Sequence, residues 1–139
     1  MKALSKIALL SSFAAVLFAV SCKPDDSPQA TPSDPRDVYV AAWTCNEHST
    51  QIGTTSYTVH INKSTTNSAQ VFITNFYNTG TGQATANISG NSITISQQTF
   101  NGNQLHGSGT KTGDNSISLT YYMNNGSSID TCTSTLTRQ

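Results

Sequence analysis

The chain is predicted to carry an all-β domain, an antiparallel up-and-down arrangement of eight strands closed as a barrel or flattened barrel. Three observations predict it. Apolar residues recur at every second position through several short runs, the mark of strands with one buried face. Turn residues separate those runs at short intervals. No stretch of eleven residues carries a convincing helical stripe.

The strands follow in order. The first, near 38–46, runs through Trp43 to Cys45. The second, near 55–63, alternates Tyr57, Val59 and Ile61 with Thr58, His60 and Asn62. The third, near 69–77, sets Val71 and Ile73 against Phe72 and Thr74, and ends before Asn78-Thr79-Gly80. The fourth, near 82–88, stops at Ser89-Gly90-Asn91-Ser92, which reads as a two-residue hairpin turn with glycine at its first central position. The fifth, near 92–97, alternates Ile93 and Ile95 with Thr94 and Ser96. The sixth, near 104–111, lies between Asn101-Gly102-Asn103 and Gly113-Asp114-Asn115. The seventh, near 116–123, places Ile117, Leu119, Tyr121 and Met123 on one face. The eighth, near 128–137, follows Asn124-Asn125-Gly126 and carries Cys132. Closing such a sheet removes the exposed edges that a small β domain otherwise leaves unpaired. The inward phase is expected to hold Val59, Ile61, Val71, Ile73, Ile93, Ile95, Ile117 and Leu119 around Trp43.

Ahead of the domain the chain reads differently. Residues 1–21 have a basic start with Lys2 and Lys6, an apolar run of about 14 residues from Ile7 to Val20, and Ser21 before Cys22. This is the order of a secretory signal, and the run falls short of the roughly 20 residues a membrane span needs. Ala19-Val20-Ser21-Cys22 resembles the lipobox of bacterial lipoproteins, with alanine where leucine is usual. The resemblance implies cleavage before Cys22, fatty acyl chains such as palmitate on its thiol, and anchoring in the cell envelope. Lys23-Pro24-Asp25-Asp26 resembles the tag that moves some lipoproteins to the outer face of the outer membrane, and reads equally well as a solvated linker. Residues 22–37 contain all four prolines of the chain among Ser, Thr and Asp. Such a segment buries too little apolar surface to offset its ordering entropy, and is expected to act as an extended tether.

The remaining residues, 38–139, form one small domain. Across the whole chain seven basic residues balance seven acidic ones, so no basic field exists to attract nucleic acid. Cys45 and Cys132 fall on the first and last strands, which are neighbours in a closed meander. In an oxidising compartment these are expected to form a disulfide contributing about 4 kcal/mol; the alternative is two unpaired buried thiols.

Asp34-Pro35-Arg36-Asp37-Val38-Tyr39-Val40-Ala41-Ala42-Trp43 resembles the opening of lipocalin-like domains, with Ala41 in the place of the family's glycine. The resemblance implies that Trp43 plugs one end of the barrel. It also implies that Arg138, near the end of the last strand, packs on Trp43, a contact worth about 0.5–2 kcal/mol.

Candidate chemistry is sparse. His106-Gly107-Ser108-Gly109 lacks the Gly-x-Ser-x-Gly elbow, and a triad of Ser108, His106 and Asp114 is no more than any serine-rich chain permits. Glu47, Asp114 and Asp130 do not suggest a pair of acids across a cleft. Cys45-Asn46-Glu47-His48 is a weak ligand spacing, so no metal and no cofactor is expected. Two functions survive. One is a non-catalytic binder of a small apolar or amphipathic ligand, lined by Tyr57, Phe72, Phe76, Tyr121 and Met123, with Tyr77 and Tyr122 as further lining candidates. The other is a surface module with a filled core that meets glycan or protein through its outer face.

Overall fold

The computed structural model describes residues 33–139. The signal segment, Cys22 and most of the tether lie outside the described residues. Eight antiparallel strands follow one another around a closed barrel: β1 Ala41–Ser49, β2 Gly53–Lys63, β3 Gln70–Thr74, β4 Gln83–Ser89, β5 Ser92–Phe100, β6 Asn103–Gly113, β7 Ser116–Asn124 and β8 Ile129–Arg138. Each strand pairs with the next, and β8 pairs back on β1 from Trp43↔Arg138 to Ser49↔Cys132.

The alternation seen in the sequence decides which side chains turn inward. Val59, Ile61, Val71, Ile73, Ile93, Ile95, Ile117 and Leu119 are all buried, with Trp43 among them. The hairpin at Gly90 carries its positive φ on glycine, where it costs little. Several boundaries differ from the sequence expectation: β1 runs on to Ser49 and β5 to Phe100, beyond the expected ends near 46 and 97, and two further shifts shape the ends of the barrel. The first strand begins at Ala41 because residues 35–39 form turns that cross the barrel end. The third stops at Thr74 because Asn75, Tyr77 and Asn78 all take positive φ, which ends a strand and makes a short 3-10 turn over Phe76–Asn78.

The expected disulfide is corrected. β1 and β8 are neighbours, but the register sets Cys132 opposite Ser49 and Cys45 opposite Leu136. Four residues of strand separate the two levels, about 13 Å, against the roughly 7 Å between Cα atoms that a disulfide tolerates. Both cysteines are buried free thiols.

The two ends of the barrel are unlike. At one end Trp43 is fully buried and donates from Nε1 to the Tyr39 carbonyl at 2.9 Å. Arg138 lies over its ring at 4.6 Å and donates to the Val38 and Val40 carbonyls. Arg36 is buried beside them, donating to Asp34 and to the carbonyls of Ser64, Asn67 and Gln70. This end is sealed, and the chain enters the barrel there. The other end, formed by the β1–β2, β5–β6 and β7–β8 turns and the Phe76–Asn78 turn, holds the candidate site.

Candidate functional site

The site is built from inward positions of β1, β2, β7 and β8. Glu47 and Ser49 follow Trp43 and Cys45 on the inner phase of β1, and Asp130, Cys132 and Ser134 occupy that phase on β8. The result is a barrel whose interior is apolar from Trp43 upward and polar at the mouth.

Glu47 is 4% exposed and accepts hydrogen bonds from the hydroxyls of Tyr57, at 2.7 Å, and Tyr121. Asp130 is 2% exposed and accepts from Ser49 at 2.6 Å, Tyr77 at 2.8 Å, Thr50 at 2.9 Å and the backbone N–H of Gln51 at 3.1 Å. Burial by itself raises the Asp130 pKa. The donors outweigh it, and the carboxyl is held down at about 2. Burial above all, and then the neighbouring acidic groups, push the phenols of Tyr57, Tyr77 and Tyr121 up, so they donate as neutral hydroxyls. Burial likewise pushes the Cys45 thiol up to about 11 and Cys132 to about 12. Ser134 Oγ is buried without a hydrogen-bond partner.

Gly107 makes room for Tyr121. A Cβ at position 107 would stand 2.5 Å from Tyr121 Cβ and 2.6 Å from the Thr120 carbonyl oxygen. The Gly-Ser-Gly of β6 is therefore a packing device beneath a close strand pairing.

The Phe76–Asn78 turn closes the mouth. Phe76 inserts its ring against Phe100 (centroids 5.6 Å apart, edge-on) and Tyr121 (4.6 Å). The turn is pinned by Asn75 Nδ2 on the Thr58 carbonyl at 2.7 Å and by Tyr77 on Asp130. Tyr77 holds φ at 55°, a left-handed conformation that a bulky side chain adopts at a cost of order 1–3 kcal/mol. Below the turn, Cys45, Glu47, Tyr57, Phe76, Tyr121 and Ser134 border an interior void of about 10 Å³, room for roughly one water. Above it, Gln51, Tyr77, Asn103, Met123, Asn125 and Asp130 line a polar depression of about 70 Å³.

Of the residues predicted to line a ligand site, Tyr57, Phe76 and Tyr121 border the void, and Tyr77 and Met123 lie in the depression. Phe72 does not join them. Val71 and Ile73 take the inner phase, so Phe72 points outward across from Asn62 and Thr85. Tyr122 is also on the outer wall, stacked on His106 at 5.0 Å. Ser108 and His106 share that outer wall, whereas Asp114 sits in the β6–β7 turn at the Trp43 end, so no triad assembles. Glu47, Asp130 and Ser134 are central and were not predicted as lining. A signal for all three lies in the sequence: Glu47 is four residues from Trp43, and Asp130 and Ser134 flank Cys132 at two residues. The same period of two that buries the isoleucines buries these polar side chains.

No protein-family model matches the chain, and no curated protein matches it. Among solved structures it is similar to a redesigned β-barrel, with a TM-score of 0.59 at 12% identity over 79% of this chain and 99% of that one. It is also similar to the barrel EF1p2_mFAP2b bound to DFHBI, with a TM-score of 0.56 at 14% identity over 78% of this chain and 100% of that one. At such identities the likeness establishes the fold, a small closed β-barrel.

Proposed function

We propose that the chain is a lipoprotein of the cell envelope, held by acyl chains on Cys22, whose barrel is a non-catalytic binder of a small amphipathic ligand taken at the mouth. The observation that carries the binding reading is the polar and aromatic mouth itself. It gathers two buried carboxylates, three tyrosine hydroxyls and a strained turn that plugs the opening with Phe76. A void of about 10 Å³ admits no ligand, so binding requires Phe76 and Tyr77 to withdraw. That one solved barrel of this shape is bound to the compound DFHBI is in keeping with the reading. The non-catalytic reading rests on the small number of ionisable residues in the domain, and burial keeps both of its thiols protonated and weakly nucleophilic at neutral pH. The outer-membrane location, with the barrel displayed at the surface, follows from the lipobox and from the Lys-Pro-Asp-Asp segment.

The filled interior supports a second reading, a surface module that meets glycan or protein through its outer wall. There Thr131, Thr133, Thr135 and Thr137 line β8 in register with Tyr122, Thr120, Ser118 and Ser116 of β7. Two experiments test these proposals. Cys22→Ala is expected to move the protein out of the membrane fraction, and wild-type fractionation of that variant rejects the anchor. Mass spectrometry of molecules extracted with the protein from its host distinguishes mouth from wall. Met123→Arg at the mouth is expected to abolish retention while Thr133→Arg leaves it intact, and the opposite pattern favours the wall.

A further inference from the structure

The charges of the domain are segregated along the barrel axis. Among the described residues the cations are Arg36, Lys63, Lys111 and Arg138, and all lie at the Trp43 end with Asp34, Asp37 and Asp114. The opposite end holds two acids, Glu47 and Asp130, and the turns around them (residues 50–52, 75–82, 101–102 and 125–128) carry no lysine, arginine or acidic residue. Both carboxylates are buried, and neither is paired with a cation among the described residues. Buried carboxylates are ordinarily paired, because hydroxyl donors satisfy their lone pairs but leave the charge uncompensated.

We propose that the mouth takes a positively charged ligand, an organic ammonium on a short apolar chain. The inference rests on the mouth reading above and names the ligand class. Three further features fit an ammonium. Phe76, Phe100, Tyr77 and Tyr121 cluster at this end, and aromatic faces attract a cation as well as an alkyl chain. Ser134 Oγ is buried, unpartnered and on the wall of the void beside Glu47, a free acceptor for an N–H donor. The hydroxyl that Tyr77 donates to Asp130 is the one bond linking the strained turn to that acid, and an ammonium N–H can replace it as the turn swings away. Beneath the carboxylates, Ile73, Val59 and Leu119 offer an apolar floor to the chain.

The test compares three ligands of equal length on the folded protein at pH 7 by titration calorimetry: octylammonium, octanol and octanoate. Octylammonium is expected to bind at least about tenfold more tightly than either competitor, a preference of the size a cation over aromatic faces with an ion pair supplies. Asp130→Asn and Glu47→Gln are expected to remove that preference, so that octylammonium and octanol bind each folded variant with the same affinity. The wild-type comparison decides the matter even if a variant fails to fold. Equal binding of octanol, or tighter binding of octanoate, overturns the cationic ligand and leaves the mouth reading standing. Binding of none of the three at millimolar concentration overturns both.

Discussion

Asp130 ties the mouth of the barrel to the pH of its surroundings. Folding moves its pKa from an ordinary 3.8 down to about 2, because the Ser49, Tyr77 and Thr50 hydroxyls donate to its charged form and outweigh the effect of burial. A lowered carboxyl pKa stabilises the fold fully above about pH 4–5, and the contribution is lost as the pH falls through the folded value. The shift amounts to about 2 kcal/mol at neutral pH. Asp130→Asn is therefore expected to be destabilised relative to wild type at pH 7, with the gap closing towards pH 2. A gap of equal size at both pH values in denaturant titrations would remove the carboxylate's charge from the account. The two thiols make a separate prediction. Buried, protonated and too far apart to bond, Cys45 and Cys132 are expected to react with a thiol reagent at pH 8 only after denaturation, and then as two free groups in the domain without reductant. Finding no free thiol in the denatured, unreduced domain would restore the disulfide.

At the scale of elements, the β6–β7 pair and the Phe76–Asn78 turn shape the site. β6 gives up side chains at Gly107 and Gly109 so that β7 can bring Tyr121 inward against it. Gly107→Ala would set a methyl group within 2.6 Å of the Thr120 carbonyl oxygen. It is expected to cost about 1–3 kcal/mol, the range for overpacking, and to loosen the Tyr121–Glu47 contact. A thermal midpoint unchanged from wild type would show that the backbone yields without strain. The turn was hidden from the alternation of the sequence. Phe76 and Tyr77 read as the continuation of a strand, since aromatic residues suit strands. What stops β3 is the left-handed backbone at Asn75, Tyr77 and Asn78. Two asparagines adopt it readily, and Tyr77 is held there by its bond to Asp130 more than fifty residues away.

At the scale of the molecule, closure decides stability. β1 and β8 lie at opposite ends of the domain sequence and seal the barrel through one register, with Trp43 buried beneath Arg138 at its start. Trp43→Ala is expected to cost about 3–5 kcal/mol, a large share of the 5–15 kcal/mol typical of a domain. Because Trp43 is at the sealed end, any ligand affinity of the folded fraction at the mouth is expected to be unchanged. Denaturant unfolding checks the first expectation, and titration of the folded fraction the second.

The sequence by itself determined the strand count, the inward set from Val59 to Leu119 and the closed antiparallel class, because period-two burial and turn chemistry are local properties written residue by residue. It carried the phases of Glu47, Asp130 and Ser134 as well. Phase says which way a side chain points and nothing about what it meets there. Only the tertiary structure decided that the interior is filled, that Cys45 and Cys132 face Leu136 and Ser49 instead of each other, and that Phe72 lies outside the site. Those outcomes depend on register between strands distant in sequence and on how side-chain volumes fill one enclosed space. A shift of four residues along a strand moves a thiol by about 13 Å without changing any local pattern.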